Sequence, residues 1–455
     1  MMRAMTLREL VLPLQAKLVG QDCTFSGVST DSRDLVPGDL FVALQGEHFD
    51  GHDYLGQVAE AGAAAAIVSQ SAALPVSQLL VDDTSRALGY LGAYNRSLYE
   101  GPLVAITGSS GKTTVKNMVH AVLSQAGRTL ATQGNLNNEI GVPLTLLTLE
   151  PGLDYAVVEM GAARAGDIAW LCELGRPTIA LLLNAMPAHL QGFGSVEDVA
   201  AAKGEIFDGL DAGDCAVINA DQPWADSWRK RAGAATIMDF GLTAPAAVSA
   251  AEISLRGTLG VSFTAITPRG ELAVDLALPG KHNVANALAA IAVGLACGLP
   301  LEQIGVGLAT VQPTAGRLAA AVSPAGVTVI DDCYNANPGS VRAAIDTLAG
   351  CDGSTTLVLG AMKELGPTSE SLHREIGEYA RSVGIDRFWG VGRQLQVAVE
   401  AFGQGGHWFA DCESAISAIT DSFTNGDTVL VKGSRSARME RVLHALLAAH
   451  APGEH

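Results

Sequence analysis

The sequence predicts an α/β protein of three domains, and three observations carry that expectation. The chain has 455 residues, about three times the length of a common single domain. Apolar residues make up 48%, charged residues 17% and aromatics only 5%, a profile of small aliphatic side chains that suits tightly packed helix-on-sheet layers. β-rich runs also alternate with helical patterns. That alternation implies right-handed βαβ units on a mainly parallel sheet.

Each domain is expected on its own texture. Residues 1–82 hold short strand-like runs at 40–44 and 64–68 between turn-rich segments, which predicts a small α/β domain. Residues 83–313 open with a helical pattern at 84–99. Strand runs follow at 103–106, 156–159, 179–183 and 216–218, which predicts a central domain with a mainly parallel sheet. Residues 314–455 alternate most regularly. Strands are expected at 327–331, 356–360, 387–391, 407–409 and 428–431, with helices at 340–348 and 369–383, a Rossmann-like layer sandwich.

Charge and cysteine content narrow the class. The formal charge is −18, which argues against sequence-independent nucleic-acid binding, where a basic footprint is needed. An anionic small substrate remains compatible, because local amides and a few cations override the global field. Seven scattered cysteines, none spaced Cys-x-x-Cys, argue against a disulfide scaffold or thiolate zinc site and for a reducing compartment. Arg3, Arg8 and Glu9 interrupt the first apolar runs, which do not read as a signal peptide. The stretch 284–301 is built on Ala and Gly, is interrupted by Asn286 and ends at Pro300. Without interfacial aromatics it reads as a buried helix, not a membrane span. A soluble cytoplasmic protein, without membrane insertion, is expected.

The strongest local signal is the run Thr107, Gly108, Ser109, Ser110, Gly111, Lys112, Thr113 and Thr114. It follows the strand at 103–106 and precedes a helix expected at 115–126. The glycines let backbone amides close around phosphate oxygens, and the helix N-terminus adds partial positive charge. Lys112 can reach β- and γ-phosphates, and the Thr113 hydroxyl is placed for Mg2+. The usual pattern has glycine where Ile106 stands, so the loop is a shortened variant; the alternative is a plain Gly/Ser turn with a solvated lysine. Glu159 ends one strand before Gly161, and His189 follows the polar run 184–188 after the next. Both could reach a metal or phosphate at the carboxyl edge of the sheet. Alternatively, Glu159 caps a helix and His189 is a loop histidine.

Taken together, these segments resemble the Mur ligase family over essentially the whole chain. The resemblance rests on Ser29, Thr30, Asp31, Ser32 and Arg33 with Pro-Gly-Asp-Leu-Phe-Val-Ala-Leu at 37–44, and on the phosphate loop. It extends through Asn-Leu-Asn-Asn-Glu-Ile-Gly at 135–141, Glu-Met-Gly at 159–161, Ala-Lys-Gly-Glu-Ile-Phe at 202–207 and Asn-Ala-Asp at 219–221. Gly-Lys-His-Asn-Val-Ala-Asn at 280–286, Asp-Asp-Cys-Tyr-Asn-Ala-Asn-Pro at 331–338 and Lys-Gly-Ser at 432–434 complete it. Within the family, the segment at 334–338 implies the member that adds D-alanyl-D-alanine to UDP-N-acetylmuramoyl-tripeptide with ATP.

The resemblance implies roles residue by residue. Lys112 would bind the γ-phosphate, and Thr113, Glu159 and His189 would hold magnesium. Lys203 would be carbamylated to hold a second magnesium ion, the alternative being an unmodified lysine on an exposed helix face. Asn283 would face the adenine, with Asn286 beside it or in packing. Arg317 and Asp332 would reach the nucleotide as the domains close. Ser29, Thr30, Asp31, Ser32 and Arg33, with Phe41 and Gly46, would bind the uridine diphosphate in the N-terminal domain. Asn135, Asn138, Asn335, Asn337 and Arg435 would contact the peptide or dipeptide; the alternative for Asn335 and Asn337 is turn formation beside Pro338. A monomer is expected.

The chemistry fits these residue types. A carboxylate is a poor acyl donor until phosphorylated, so the protein must position reactants and neutralise charge. No Ser-His or Cys-His nucleophile is evident. Competing readings are a folate-extending ligase, against which Ser29 to Arg33 argue, and a nucleotide switch without an amine acceptor. A dehydrogenase lacks its Gly-x-Gly-x-x-Gly, because residues 331–338 occupy that turn.

Overall fold

The structure is a computed structural model and describes residues 2–46, 48–188, 190–419 and 422–449. Three sheets with interposed helices organise it. The N-terminal sheet has five strands in the order Lys17–Val19, Ser77–Leu80, Ala65–Val68, Leu40–Val42 and Val28–Ser29; the last four run parallel. The helix Thr84–Ser97 follows, its start capped by the Asp83 carboxylate, which accepts from the amides of Ser85 and Arg86. Ala87, Leu88 and Leu91 on one face of that helix enter the N-terminal core.

The central sheet has six parallel strands, ordered Thr236–Phe240, Cys215–Asn219, Ile179–Leu182, Leu103–Thr107, Tyr155–Glu159 and Thr129–Ala131. The chain leaves Leu103–Thr107 toward one edge and returns to build the other side. That strand is therefore the topological switch point, whose carboxyl end opens a crevice. The neighbouring strands deliver Glu159 on one side and Leu183 and Asn184 on the other. Apolar side chains cover both faces of this sheet, which explains near-continuous runs such as 156–158 and 179–183.

The helix expected at 284–301 ends earlier, at Ala296, and a second one begins at Leu301. Lys281–Ala296 is buried along most of its length, and Leu301–Ala309 follows. Between them Gly298 turns at φ +81°, and Pro300 caps the second start. The phosphate-loop helix is Lys112–Leu123, starting three residues before the expected position. Gly111, at φ +84°, makes the left-handed turn that lets its successor enter the helix at once. An antiparallel three-stranded sheet, Ser249–Leu255, Val261–Thr267 and Gly270–Leu276, was not expected in the central region.

The C-terminal sheet runs Ala319–Val322, Thr328–Asp332, Thr428–Lys432, Thr355–Gly360, Arg387–Val391 and Gly406–Phe409, parallel except for the first edge strand. Helices Pro338–Ala349 and Ser369–Ser382 follow the first and second of its parallel strands in chain order. Both faces carry apolar clusters. Its carboxyl edge presents Asp332 and Lys432 side by side in register. Among the described residues, no helix is long and apolar enough to cross a membrane, and all seven cysteines are free thiols.

Candidate active site

A cavity of about 660 Å³ lies between the carboxyl edges of the central and C-terminal sheets. The phosphate loop forms its floor. Gly108 packs its backbone against Leu183, where a Cβ would come 2.9 Å from the Leu183 Cβ. The Ser110 amide donates to Asn184 Oδ1 at 3.0 Å, and Asn184 Nδ2 donates to the Ser110 carbonyl at 3.1 Å. Ser109 is tied to Met186 through its hydroxyl. Asn184 is thus a loop-shaping residue that the pattern of Gly, Lys and Thr did not single out. Thr107 departs from expectation: its fully buried hydroxyl donates to the Met160 carbonyl at 2.8 Å, so the side chain anchors the strand rather than facing the cavity.

Lys112 donates from Nζ to the Gly108 carbonyl at 2.7 Å. Burial lowers its pKa, against the opposing pull of Glu159. Thr113 and Thr114 line the cavity from the first helical turn. The Thr113 hydroxyl donates to Glu159 Oε2 at 3.0 Å and accepts from the Arg317 guanidinium at 2.9 Å. Arg317 also lies 4.3 Å over the Tyr334 ring, a cation–π contact that fixes its plane.

Lys203 also lines the cavity and is only 2% exposed, which removes the alternative of an exposed helix face. Burial, reinforced by Lys112 and opposed by Asp167, lowers its pKa to about 7. His189 lies outside the described residues. Asn283 donates to the Pro279 carbonyl at 2.7 Å and accepts from Asn286 at 2.8 Å, both buried at the cavity wall. Beside them His282 is depressed to about 4, first by burial and then by Lys432.

The C-terminal side closes the cavity. Asp332 Oδ2 pairs with Lys432 Nζ at 2.5 Å, and Lys432 also donates to the Asn335 carbonyl at 3.0 Å. Burial pushes the Asp332 carboxyl up, and Lys432 opposes this. Asn337 caps the helix Pro338–Ala349 by accepting from the Ser340 amide, and its Nδ2 donates to the Ser109 carbonyl at 3.4 Å. Its side chain is thus committed to the turn and the loop, the alternative reading for this residue. Asn335 and Arg435 line a second cavity of about 730 Å³ that shares Thr113 and Arg317 with the first.

Asn135 borders both cavities and Asn138 the first. Between them Asn137, not singled out from sequence, donates to Glu159 Oε1 at 2.8 Å. The N-terminal candidates border neither cavity. Arg33 forks onto Asp31, holding that carboxyl down at about 2. The Ser29 hydroxyl closes a turn with Asp31, with Thr30 and Ser32 half-buried beside them and Gly46 exposed nearby in the chain. Phe41 is 1% exposed within the N-terminal core. Its ring packs with Leu55 and Val58 in that core.

Comparison with known proteins then decides the family. Residues 106–294 match the Mur ligase middle domain, 316–435 the Mur ligase glutamate ligase domain, and 24–93 the Mur ligase family catalytic domain. A curated UDP-N-acetylmuramoyl-tripeptide–D-alanyl-D-alanine ligase from Escherichia coli is 46% identical, covering 98% of this chain and 99% of its own. The chain belongs to the Mur ligase family. Among solved structures, MurF from Acinetobacter baumannii superposes with a TM-score of 0.94 at 36% identity, covering 98% of this chain and 99% of that one. MurF ligase from Thermotoga maritima in complex with ADP reaches 0.83 at 29% identity, covering 92% and 97%. In this Mur ligase the matched segments take in the phosphate loop, the C-terminal side of the cavity and four of the five strands of the N-terminal sheet.

Proposed function

We infer that this Mur ligase joins D-alanyl-D-alanine to UDP-N-acetylmuramoyl-tripeptide, with ATP as the phosphoryl donor, in the synthesis of the peptidoglycan precursor. The observation that carries this reading is the phosphate loop facing a second substrate cavity across Thr113 and Arg317. A phosphoryl donor and an amine acceptor need two adjoining compartments that share the reacting centre.

The tripeptide carboxylate attacks the γ-phosphorus. A new O–P bond forms, the bond to ADP breaks, and an acyl phosphate results. The D-alanyl-D-alanine amine then attacks the acyl carbon; the C–N bond forms, phosphate leaves with the C–O electron pair, and one proton is released. Lys112 and Arg317 neutralise charge on the transferring group. Asp332 and Asn283 bound the nucleotide compartment from opposite domains. Asn135, Asn138, Asn335 and Arg435 border the compartments for peptide and dipeptide. The uridine diphosphate is assigned to the surface around Thr30, Asp31, Ser32, Arg33 and Gly46.

The oxygen donors Thr113 and Glu159 suit a hard cation such as Mg2+, and His189 is proposed as a further ligand. When bound, magnesium supplies charge neutralisation of the β- and γ-phosphates. The neutral fraction of the Lys203 amine, favoured by burial, can add CO2 with loss of one proton. The resulting carbamate would be an oxygen ligand for a second magnesium ion. Joints at 82/83 and 313/314 are proposed to separate the three domains. A monomer is proposed, and the scattered cysteines, none spaced Cys-x-x-Cys, support a cytoplasmic setting.

The test is phosphate release from ATP and Mg2+ with UDP-N-acetylmuramoyl-tripeptide, with and without D-alanyl-D-alanine. Release that requires both substrates, with a product heavier by one dipeptide less water, is expected. Release indifferent to both would overturn the reading and leave a phosphate-loop nucleotidase.

A further inference from the structure

Glu159 is 2% exposed and held from three directions by one short segment and its support. Its Oε1 accepts from Asn137 Nδ2 at 2.8 Å. Its backbone amide donates to Thr132 Oγ1 at 2.9 Å. The Thr132 carbonyl in turn accepts from Lys116 Nζ at 2.7 Å, and both of these residues are buried. At the other end, the Gly161 amide donates to the Asn137 carbonyl at 2.7 Å. The segment between Thr132 and Asn137 therefore grips the strand end at Glu159 on its main chain and on its carboxylate. Lys116, one helical turn beyond Lys112, braces that segment from the phosphate-loop helix.

We propose that Asn137 and Lys116 are positioning residues that fix the Glu159 carboxylate for a divalent cation. The inference rests on the assignment of Glu159 as a ligand made above. An unconstrained glutamate carboxylate has three side-chain torsions free and a choice of either oxygen. Here Asn137 occupies Oε1 and leaves Oε2, the oxygen beside Thr113, facing the loop. Outer contacts of this type orient a ligand and tune its affinity. Lys116 is cationic, so through-space repulsion alone would make its removal favour a cation. A bracing role requires the opposite sign.

The experiment is Mn2+ titration of the full chain with a non-hydrolysable ATP analogue, followed by electron paramagnetic resonance. Nucleotide affinity in EDTA and the melting temperature serve as controls. Asn137→Ala is expected to raise the Mn2+ Kd by about 10- to 100-fold and broaden the bound spectrum, with nucleotide affinity in EDTA unchanged and the melting temperature lowered, since a buried carboxylate oxygen loses its partner. Lys116→Met is expected to weaken Mn2+ as well and covers the case in which Asn137→Ala fails to fold. Unchanged Mn2+ binding in Asn137→Ala, or tighter binding in Lys116→Met, would overturn the proposal. Glu159→Gln separates the two levels. If it loses Mn2+ while Asn137→Ala does not, the bracing idea alone falls; if it retains Mn2+, the ligand assignment falls and takes the proposal with it.

Discussion

The Thr113 hydroxyl lies midway in a polar chain, accepting from Arg317 and donating to Glu159. Its place beside Lys112 is legible from spacing, because a phosphate loop followed by a helix needs those residue types there. That Arg317 reaches it is not legible, since nothing local links residues so far apart in the chain. His373 makes the same point away from the site. It is fully buried; its Nδ1 contacts the Ser369 carbonyl at 2.6 Å, and Nε2 accepts from the Met362 amide at 3.1 Å. This pattern holds the ring neutral, with the proton on Nδ1. Burial lowers its pKa, partly offset by the Ser369 carbonyl. The unfolded chain therefore binds the extra proton first, and stability falls as pH drops below the ordinary histidine value of about 6.5. His373→Gln should show a shallower loss of melting temperature between pH 7 and pH 5 than the parent chain. An identical slope would remove His373 as a source of acid sensitivity.

At the scale of elements, the phosphate-loop helix Lys112–Leu123 is clamped by the two helices that follow the antiparallel sheet. Gly307 in Leu301–Ala309 sits so close that a Cβ would lie 2.5 Å from the Val122 Cα. Backbone cannot yield as a flexible side chain can. Gly307→Ala is therefore expected to cost about 1–3 kcal/mol of stability, read as a lowered denaturation midpoint. An unchanged midpoint would mean that the helices separate freely. The strands at 103–107, 155–159 and 179–182 were legible because both faces are buried and the apolar runs are nearly continuous. The antiparallel strands at 249–276 were not, because several residues of the two outer strands are exposed and their alternation is diluted by Glu252 and Glu271. The break at 297–300 was obscured by the apolar run, in which only the conformation of Gly298 and the position of Pro300 divide a buried helix from a half-buried one.

At the scale of the molecule, the C-terminal domain meets the phosphate loop through a few specific contacts. Asn337 donates to Ser109, Asn117 to Thr314 and the Gln191 amide to the Glu364 carbonyl. Gly339 packs its backbone against Met186, whose sulfur would lie 2.3 Å from an added Cβ. The cap and the cross-domain contact of Asn337 use different atoms of one side chain, so they can be separated. Asn337→Ser keeps a good N-cap but is too short to reach Ser109. It should lower kcat by about 10- to 100-fold, as misplacement of reactants does, while leaving the melting temperature unchanged. A kcat equal to that of the parent would show that the contact does not align the domains.

The sequence by itself determined the α/β class, the phosphate loop and the family. Those properties follow from short-range facts: periodicity, glycines at a turn, and residue types at fixed spacing. Only the tertiary structure decided which polar groups meet. It buried Lys203, turned Thr107 toward Met160, packed Phe41 inside the N-terminal core, and selected Asn137 rather than its neighbours to hold Glu159. The physical reason is that a buried polar group must find its partner wherever the fold brings one within about 3 Å. Sheet order and domain packing set that distance, and no local pattern encodes it.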